Sequence, residues 1–335
     1  MKFSIIIPMY NVENYITESL KSLLLQKYKD FEIVAVDDGS IDNTKGKCEE
    51  FKGKNKDINL RYLHQNNSGQ YRARQLGIQN AKGEYLLFLD ADDYLREDAL
   101  TILRDEIEKS RADLLIFNAM RFNEKECKKF WPKLCEDRKT FIGDEKRFLY
   151  KKIIEGNTLN NLWLKCFKKE LVENNPDIDK RVNVEEDLIQ FLPVVTNAKK
   201  VIYIDEYIYY YRENISSVTA RFNINHFYAT TYASKEIMKY INKWFEEDYS
   251  SLNTVRYINN IYGSVLQLLS KKCDLTKEEK QNYLEKISED DYFIKSMESY
   301  KKTNRWSHKY ILFRYIFKRK YFKAMFVGKL ILSIR

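Results

Sequence analysis

Short apolar runs that each end in a polar or acidic cluster constrain the first 120 residues more tightly than any other feature of this sequence. Residues 3–7, 31–36, 85–89 and 114–117, with a weaker run at 60–63, are apolar runs broken only by Ser4, Glu32 and Arg61, rather than strictly alternating. Runs of this length read as strands covered on both faces, the pattern of a mainly parallel sheet. Between them lie segments with helical spacing, clearest at Val12, Ile16, Leu20, Leu23 and Leu24, and again over 70–81 and 97–110. Strands alternating with helices predict an open α/β sheet flanked by helices.

Ligands of such sheets bind beyond the carboxyl ends of the strands, so the residues after each run belong together. They are Pro8-Met9-Tyr10-Asn11, Asp37-Asp38-Gly39-Ser40, Gln65-Asn66-Asn67-Ser68-Gly69 and Asp90-Ala91-Asp92-Asp93. Polar and acidic groups from four strands are thus expected on one edge. The G-x-G-x-x-G of dinucleotide folds is absent. Gly39 to Gly46-Lys47 has the wrong spacing for a phosphate loop, with no Ser or Thr after the lysine.

The fourth cluster is the most demanding. On an extended chain Asp90 and Asp92 point to one side and Asp93 to the other. Two carboxylates about 4 Å apart repel by about 1 kcal/mol in water and about 4 kcal/mol near a protein surface. A positive group is therefore expected beside them. The bland alternative has Asp92 and Asp93 capping a helix that starts near Arg96, which accounts for one carboxylate and not three.

Composition narrows the chemistry. Of 335 residues, 44% are hydrophobic and 32% charged, which argues for a globular chain, and no apolar stretch reaches the length of a membrane span. The N-terminal apolar run is short, is broken by Pro8 and lacks a cleavage site for a signal peptide, so a cytoplasmic location is expected. Cysteines 48, 127, 135, 166 and 273 form no C-x-x-C pair and are odd in number, which predicts reduced thiols and no zinc site. His64, His226 and His308 are far apart, so a histidine-based metal site or hydrolase triad is not expected. Carboxylates are left to carry the chemistry.

The net charge of +9 is unevenly placed. Residues 301–335 hold eleven Lys and Arg and no Asp or Glu, which leaves residues 1–300 at −2. No nucleic-acid-reading motif accompanies the basic residues, so no nucleic-acid partner is expected. Basic residues interleaved with eight aromatics in 301–335 suit an anionic membrane surface. Taken as one helix, however, its charges fall around much of the circumference, which equally suits packing against the acidic body or a subunit contact in a homo-oligomer.

Beyond residue 120 the reading predicts a helix at 143–155, a helix from 185 in VEEDLIQFLPVV, a strand at 200–212 in KVIYIDEYIYYYR, and helices from 222 to 273 and 276 to 299. The expected organisation is one domain over 1–220, its halves meeting near 120, followed by a helical region over 221–335.

The order FSIIIPMYNVENYITESLKSLL, FEIVAVDDGSIDNT, NNSGQYRARQLGI and AKGEYLLFLDADDYL resembles the nucleotide-binding half of family 2 glycosyltransferases of the GT-A fold. NVEEDLIQFLPVV and IYIDEYIYYYRENISSVT are similar to the family's acceptor-side segment. The resemblance implies an inverting, metal-dependent transferase moving a sugar from a UDP-sugar donor to a glycan or lipid-linked acceptor. It implies a D-x-D pair, Asp92 aided by Asp90, binding Mn²⁺ or Mg²⁺, and a nucleotide site drawing on Pro8, Tyr10, Asn11, Asp38, Asn67, Gly69, Arg74, Asp90 and Ala91. Gln75 stands where the family usually has Asn. Asp187 of the Glu186-Asp187 pair corresponds to the catalytic base, with Glu186 beside it, and Trp163 and Lys165 to the sugar pocket.

Two other readings make different demands. A sugar-nucleotide pyrophosphorylase would carry a Gly- and Arg-rich loop after the first strand, where this chain has PMYNVENY. A non-catalytic nucleotide-sugar or glycan-binding module would have lost the D-x-D or the Glu-Asp pair, and both are present.

Overall fold

The computed structural model describes residues 1–123, 125–129, 133–156, 159–172, 178–213, 222–304 and 307–334, the side chains of 301–304 and 334 excepted. The end of the second resembling segment, 214–219, lies outside the described residues. The chain divides into two compact units: 1–149 with 158–180 and 186–214, and 150–157 with 181–185 and 215–335.

The first unit runs β1 (Phe3–Met9), α1 (Ile16–Leu24), β2 (Phe31–Asp37), α2 (Thr44–Lys54), β3 (Leu60–His64), α3 (Gln70–Asn80), β4 (Tyr85–Phe88), β5 (Tyr94–Leu95), α4 (Ala99–Ser110), β6 (Leu114–Phe122), β7 (Cys127–Lys129) and β8 (Lys139–Ile142). After the start of α5 (Lys146–Glu155) come β9 (Lys165–Lys168), α6 (Glu186–Asn197) and β10 (Lys200–Arg212). These strands form a ten-stranded mixed sheet in the order β3-β2-β1-β4-β9-β6-β10-β5, with β7 on β6 and β8 on β10.

The expected parallel core is present: β1 pairs in parallel with β2 and β4, β2 with β3, and β6 with β10. Antiparallel β9 separates the two parallel groups by pairing with both β4 and β6. Apolar patterning could not announce β9. It is four residues long with a lysine at each end, and Lys165 is nonetheless fully buried.

Register aligns the strand ends. Met9 pairs with Asp37 and Asp37 with His64, so the loops after β1, β2 and β3 leave from one edge. Helix α3 lies tightly on β1 at Gly77, where an added Cβ would stand 2.5 Å from Ile6 Cγ2. That close approach requires glycine, and Arg74 stands one turn earlier on α3.

The turn after β4 corrects the extended-chain reading of the aspartates. The strand ends at Phe88, and the Asp93 N–H closes a turn on the Asp90 carbonyl at 3.0 Å, so simple alternation does not set the side-chain directions. The capping alternative also fails: β5 intervenes, and α4 begins at Ala99 with Asp98 as its cap residue.

The second unit contains α7 (His226–Trp244), α8 (Ser250–Leu269), α9 (Lys277–Glu289), α10 (Asp291–Asn304), α11 (His308–Phe317) and α12 (Tyr321–Ile334). Thr276 and Glu279 close a capping box on α9, and Ser307 caps α11 through the Tyr310 N–H at 3.1 Å. Tyr257, Ile261, Leu284, Phe293, Leu312, Phe313 and Ile316 share one buried cluster. The basic C-terminal stretch therefore packs as two helices on that cluster. Among the described residues no helix is long and apolar enough to cross a membrane.

Candidate active site

Asp38 organises the loop that follows β3. Its Oδ1 accepts hydrogen bonds from Gln65 Nε2 (2.7 Å) and the Ser68 N–H (2.7 Å), and its Oδ2 from the Gly69 N–H (2.8 Å). Three of about four carboxylate lone-pair positions are thus used within the fold, leaving one for a ligand. Gly39 sits at φ +78°, and a Cβ there would lie 2.7 Å from the Asn67 backbone nitrogen, so the β2 and β3 loops touch only because residue 39 is glycine.

Asn11, at φ +52°, joins the same edge. Its N–H donates to Ser40 Oγ and its Oδ1 accepts from the Ile41 N–H, both at 2.9 Å. Pro8 is buried within β1, Asn67 is exposed, and Tyr10 presents its ring to solvent with 48% of its surface free. An aromatic face beside a rigid polar loop suits a planar ring.

The aspartate turn is stitched from behind. Asp93 is 1% exposed and accepts from the Tyr209 hydroxyl (2.7 Å) and the Arg212 N–H (2.7 Å). The Asp90 N–H donates to the same Tyr209 oxygen at 3.1 Å, and Arg212 Nε donates to the Asp92 carbonyl at 2.8 Å. Burial, together with Asp90 and Asp92, pushes the Asp93 carboxyl well above the usual range. Asp93 is an internal anchor, and Ala91, 4% exposed, packs beneath the turn. Asp90 and Asp92 remain partly exposed.

Arg74 lies near enough to Asp90 to feel its charge, and its placement is a finding. The sequence resemblance put Arg74 on the nucleotide. In the structure it is 2% exposed, with Nη1 in ion-pair contact with Asp187 Oδ1, 3.7 Å from Glu186 Oε1 and 3.5 Å from Gln190 Oε1. Burial disfavours the guanidinium charge, but Asp187, Glu186 and Asp90 outweigh that and hold Arg74 above its ordinary value. Asp187 Oδ2 in turn accepts from the Leu162 N–H at 3.1 Å.

One cation does not neutralise this cluster. Burial pushes the Asp90 carboxyl up to about 7; Arg74 opposes the shift, and Asp187, Asp92 and Glu186 add to it. Glu186 is also pushed up to about 7 by burial and by Asp187, against Arg74. Such excess negative charge suits a divalent cation at Asp90 and Asp92. No group of three or more His, Cys, Asp or Glu among the described residues could hold a metal alone. A cation there would complete its shell from phosphate and water, the usual pattern for Mg²⁺.

The two predicted pocket residues are both buried. Lys165 is fully buried; its Nζ donates to the Asn161 carbonyl and to Asn161 Oδ1 (2.8 Å) and lies 4.6 Å from the Phe191 ring centroid. Burial pulls its amine down to about 7, with Asp187 opposing. Lys165 therefore braces the segment whose Leu162 N–H holds Asp187. Trp163 is 8% exposed and packs on Tyr209 and Tyr211, with ring centroids 4.8 and 5.5 Å away.

Sequence reading missed Gln190, Tyr209 and Arg212. Gln190 stands four residues after Glu186 on one face of α6, a spacing that could have been used. Tyr209 and Arg212 carried no signal, because their partner Asp93 lies more than a hundred residues away.

In the second unit, Glu185 adopts φ +62° and its carboxylate is held by Arg256 Nη2, Asn260 Nδ2 (2.6 Å) and Thr230 Oγ1 (3.3 Å). Helix α6 starts after it, so the acidic triplet 185–187 is not one helical turn.

Comparison with known proteins gives the same family. The family model described as Glycosyl transferase family 2 matches residues 4–167. Over 217 residues the chain is 33% identical to the glycosyltransferase GlyA of Streptococcus pneumoniae, covering 63% of this chain and 30% of GlyA. It is 32% identical to EpsJ of Bacillus subtilis, an uncharacterised glycosyltransferase, covering 64% of this chain and 62% of EpsJ. The chain thus spans less than two thirds of the length of these relatives. Among solved structures, residues 1–349 of S. aureus TarS in complex with UDP-GlcNAc superpose with a TM-score of 0.68 at 21% identity, covering all of this chain and 93% of that one. A mannosyltransferase from Pyrobaculum calidifontis, in complex with GDP-Man and Mn²⁺, superposes with a TM-score of 0.54 at 13% identity, covering 98% of this chain and 87% of that one. At these identities the likeness is one of fold, and the fold is GT-A. The profile match over residues 4–167, just under half of the chain, the four ordered strand-end motifs and the shared fold all agree on glycosyl transferase family 2.

Proposed function

We propose that the chain is an inverting, metal-dependent glycosyltransferase that moves a sugar from a UDP-sugar to a glycan or lipid-linked acceptor in the synthesis of a cell-surface polysaccharide. The observation that carries this reading is the meeting of Asp90, Arg74 and the Glu186–Asp187 pair at the carboxyl edge of the parallel strands. Donor-side and acceptor-side carboxylates there share one guanidinium. A UDP donor is favoured by the relatives: TarS of Staphylococcus aureus, described as a poly(ribitol-phosphate) beta-N-acetylglucosaminyltransferase, is 30% identical over 217 residues, and its fold has been solved with UDP and with UDP-GlcNAc.

In this mechanism Tyr10 and Pro8 receive the base, and the loop built on Asp38, Asn67 and Gly69 receives the ribose. Asp92 and Asp90 would hold Mn²⁺ or Mg²⁺, which supplies charge neutralisation for the diphosphate when bound. Asp187 accepts the proton of the acceptor hydroxyl. The acceptor oxygen then bonds to the anomeric carbon from the face opposite the diphosphate, whose oxygen leaves with the bonding electron pair, so the anomeric configuration inverts. Glu186, pushed up to about 7 beside Asp187, orients the acceptor or shares its proton.

The test is a panel of UDP-, GDP- and dTDP-sugars, including UDP-hexoses and UDP-N-acetylhexosamines, assayed for release of nucleoside diphosphate with Mn²⁺ or Mg²⁺. Turnover confined to UDP-sugars and abolished by EDTA is the expected result. Release of nucleoside triphosphate from a sugar nucleotide and pyrophosphate would identify a pyrophosphorylase instead.

A further inference from the structure

Helix α12 divides its residues sharply. Tyr321, Ala324, Met325 and Gly328 are buried on the helical unit, whereas Phe322, Phe326 and Leu330 are 64%, 70% and 51% exposed. At about 100° per residue, Phe322, Lys323, Phe326, Lys329 and Leu330 fall within a sector of about 120°, opposite the buried set. The charges that looked scattered along one continuous helix therefore sort themselves once α11 and α12 break at residues 318–320. Lys318, Arg319 and Lys320 at the break are exposed, as are Lys323 and Lys329, and Phe317 before it is 39% exposed. Lys277 on α9 adds a further cation 4.4 Å from the Phe322 ring centroid.

Two exposed phenylalanines and a leucine in line are unusual on a surface facing water alone. We propose that this face of α12 docks on an anionic lipid bilayer, with Phe322, Phe326 and Leu330 entering the headgroup boundary and the surrounding lysines against acidic headgroups. The charge chooses this occupant over a second copy. Residues 301–335 contain no acid, so two such faces placed together about a twofold axis would set lysine against lysine. Among the described residues the ion pair at the break is Arg319 to Glu289 at 3.4 Å, and Lys318, Lys320, Lys323 and Lys329 face outward for headgroups. An apolar stripe bordered by lysines is the composition of helices that lie in the membrane interface, where each lysine contributes about fivefold in binding.

Co-sedimentation of the full chain with phosphatidylcholine vesicles, with and without phosphatidylglycerol, tests the proposal without any donor or acceptor, so its failure leaves the transferase reading intact. Wild type should bind the anionic vesicles and not the neutral ones, and lose binding at high salt. F322S/F326S and K323E/K329E should each weaken binding at least about tenfold while keeping the wild-type circular dichroism. Absence of binding, equal binding by wild type and both variants, or equal binding to neutral vesicles would overturn it. So would a wild-type dimer in light scattering that F322S/F326S dissociates, which would show that a second copy covers the face.

Discussion

Arg74 on α3 and Asp187 on α6 form an ion pair in the interior of the first unit, with Arg74 2% exposed and Glu186 3.7 Å from the same Nη1. The pair ties the helix that follows the β3 loop to the helix that carries the proposed base. A buried ion pair adds little net stability over an apolar substitute, yet removing one partner alone is costly because it strands the other charge.

Arg74→Met should therefore lower stability by about 3–5 kcal/mol and abolish transfer, since Asp187, Glu186 and Asp90 lose their shared cation. The double variant Arg74→Met/Asp187→Leu should recover much of that stability and none of the transfer. Denaturant titration of both variants measures the recovery. A double variant no more stable than the single one would mean that Arg74 stabilises by packing rather than by charge.

Asp187→Asn should transfer sugar about 10²- to 10⁴-fold more slowly while binding donor normally. The sequence alone suggests that such a variant would melt close to wild type. The structure changes that expectation, because Arg74 would lose its shortest ion pair and keep only Glu186 and Gln190 nearby and the charge of Asp90, and a loss of thermal stability now accompanies the loss of rate. Donor affinity separates the two effects. A slow variant that still binds donor points to the base, whereas parallel loss of binding and fold points to a structural carboxylate.

For Asp92→Asn the expected result is donor binding that no longer responds to Mn²⁺ or to EDTA, with turnover abolished and the fold intact. Calorimetry of UDP binding with and without metal reads this directly. Wild-type-like enhancement by Mn²⁺ in the variant would remove Asp92 from the metal site.

The helical unit should lose stability in mild acid through His226. Burial depresses this imidazole from 6.5 to about 4, and its ring nitrogen lies 3.3 Å from Thr230 Oγ1. Between those values the unfolded chain binds the proton and the folded one does not, so stability is complete above pH 6.5 and falls as pH drops toward 4. The integrated loss is up to about 3 kcal/mol, and His226→Gln should remove that part of the pH dependence. Denaturation midpoints between neutral pH and pH 4 supply the measurement; identical profiles for wild type and variant would show that other groups control acid stability.

The five main strands of the first 120 residues, the helices α1, α3 and α4 between them, and the convergence of four polar clusters on one sheet edge could be read directly, whereas α2 and the two-residue β5 could not. Apolar runs and helical spacing are local consequences of burial and need no knowledge of distant partners. Position 39 likewise shows its constraint in its own identity, since only glycine tolerates that backbone angle and that contact with Asn67. What each charged side chain does was decided by tertiary structure, because electrostatic and hydrogen-bond partners come from remote segments. Asp93 is an anchor only because β10 brings Tyr209 and Arg212 to it. Arg74 faces the acceptor-side carboxylates only because α6 packs on α3. Lys165 is a brace only because β9 enters the middle of the sheet. The basic stretch at the C-terminus shows the same division: its composition was plain, but which aromatic residues face outward depended on where the chain breaks into α11 and α12 and on which side of α12 meets the rest of its unit.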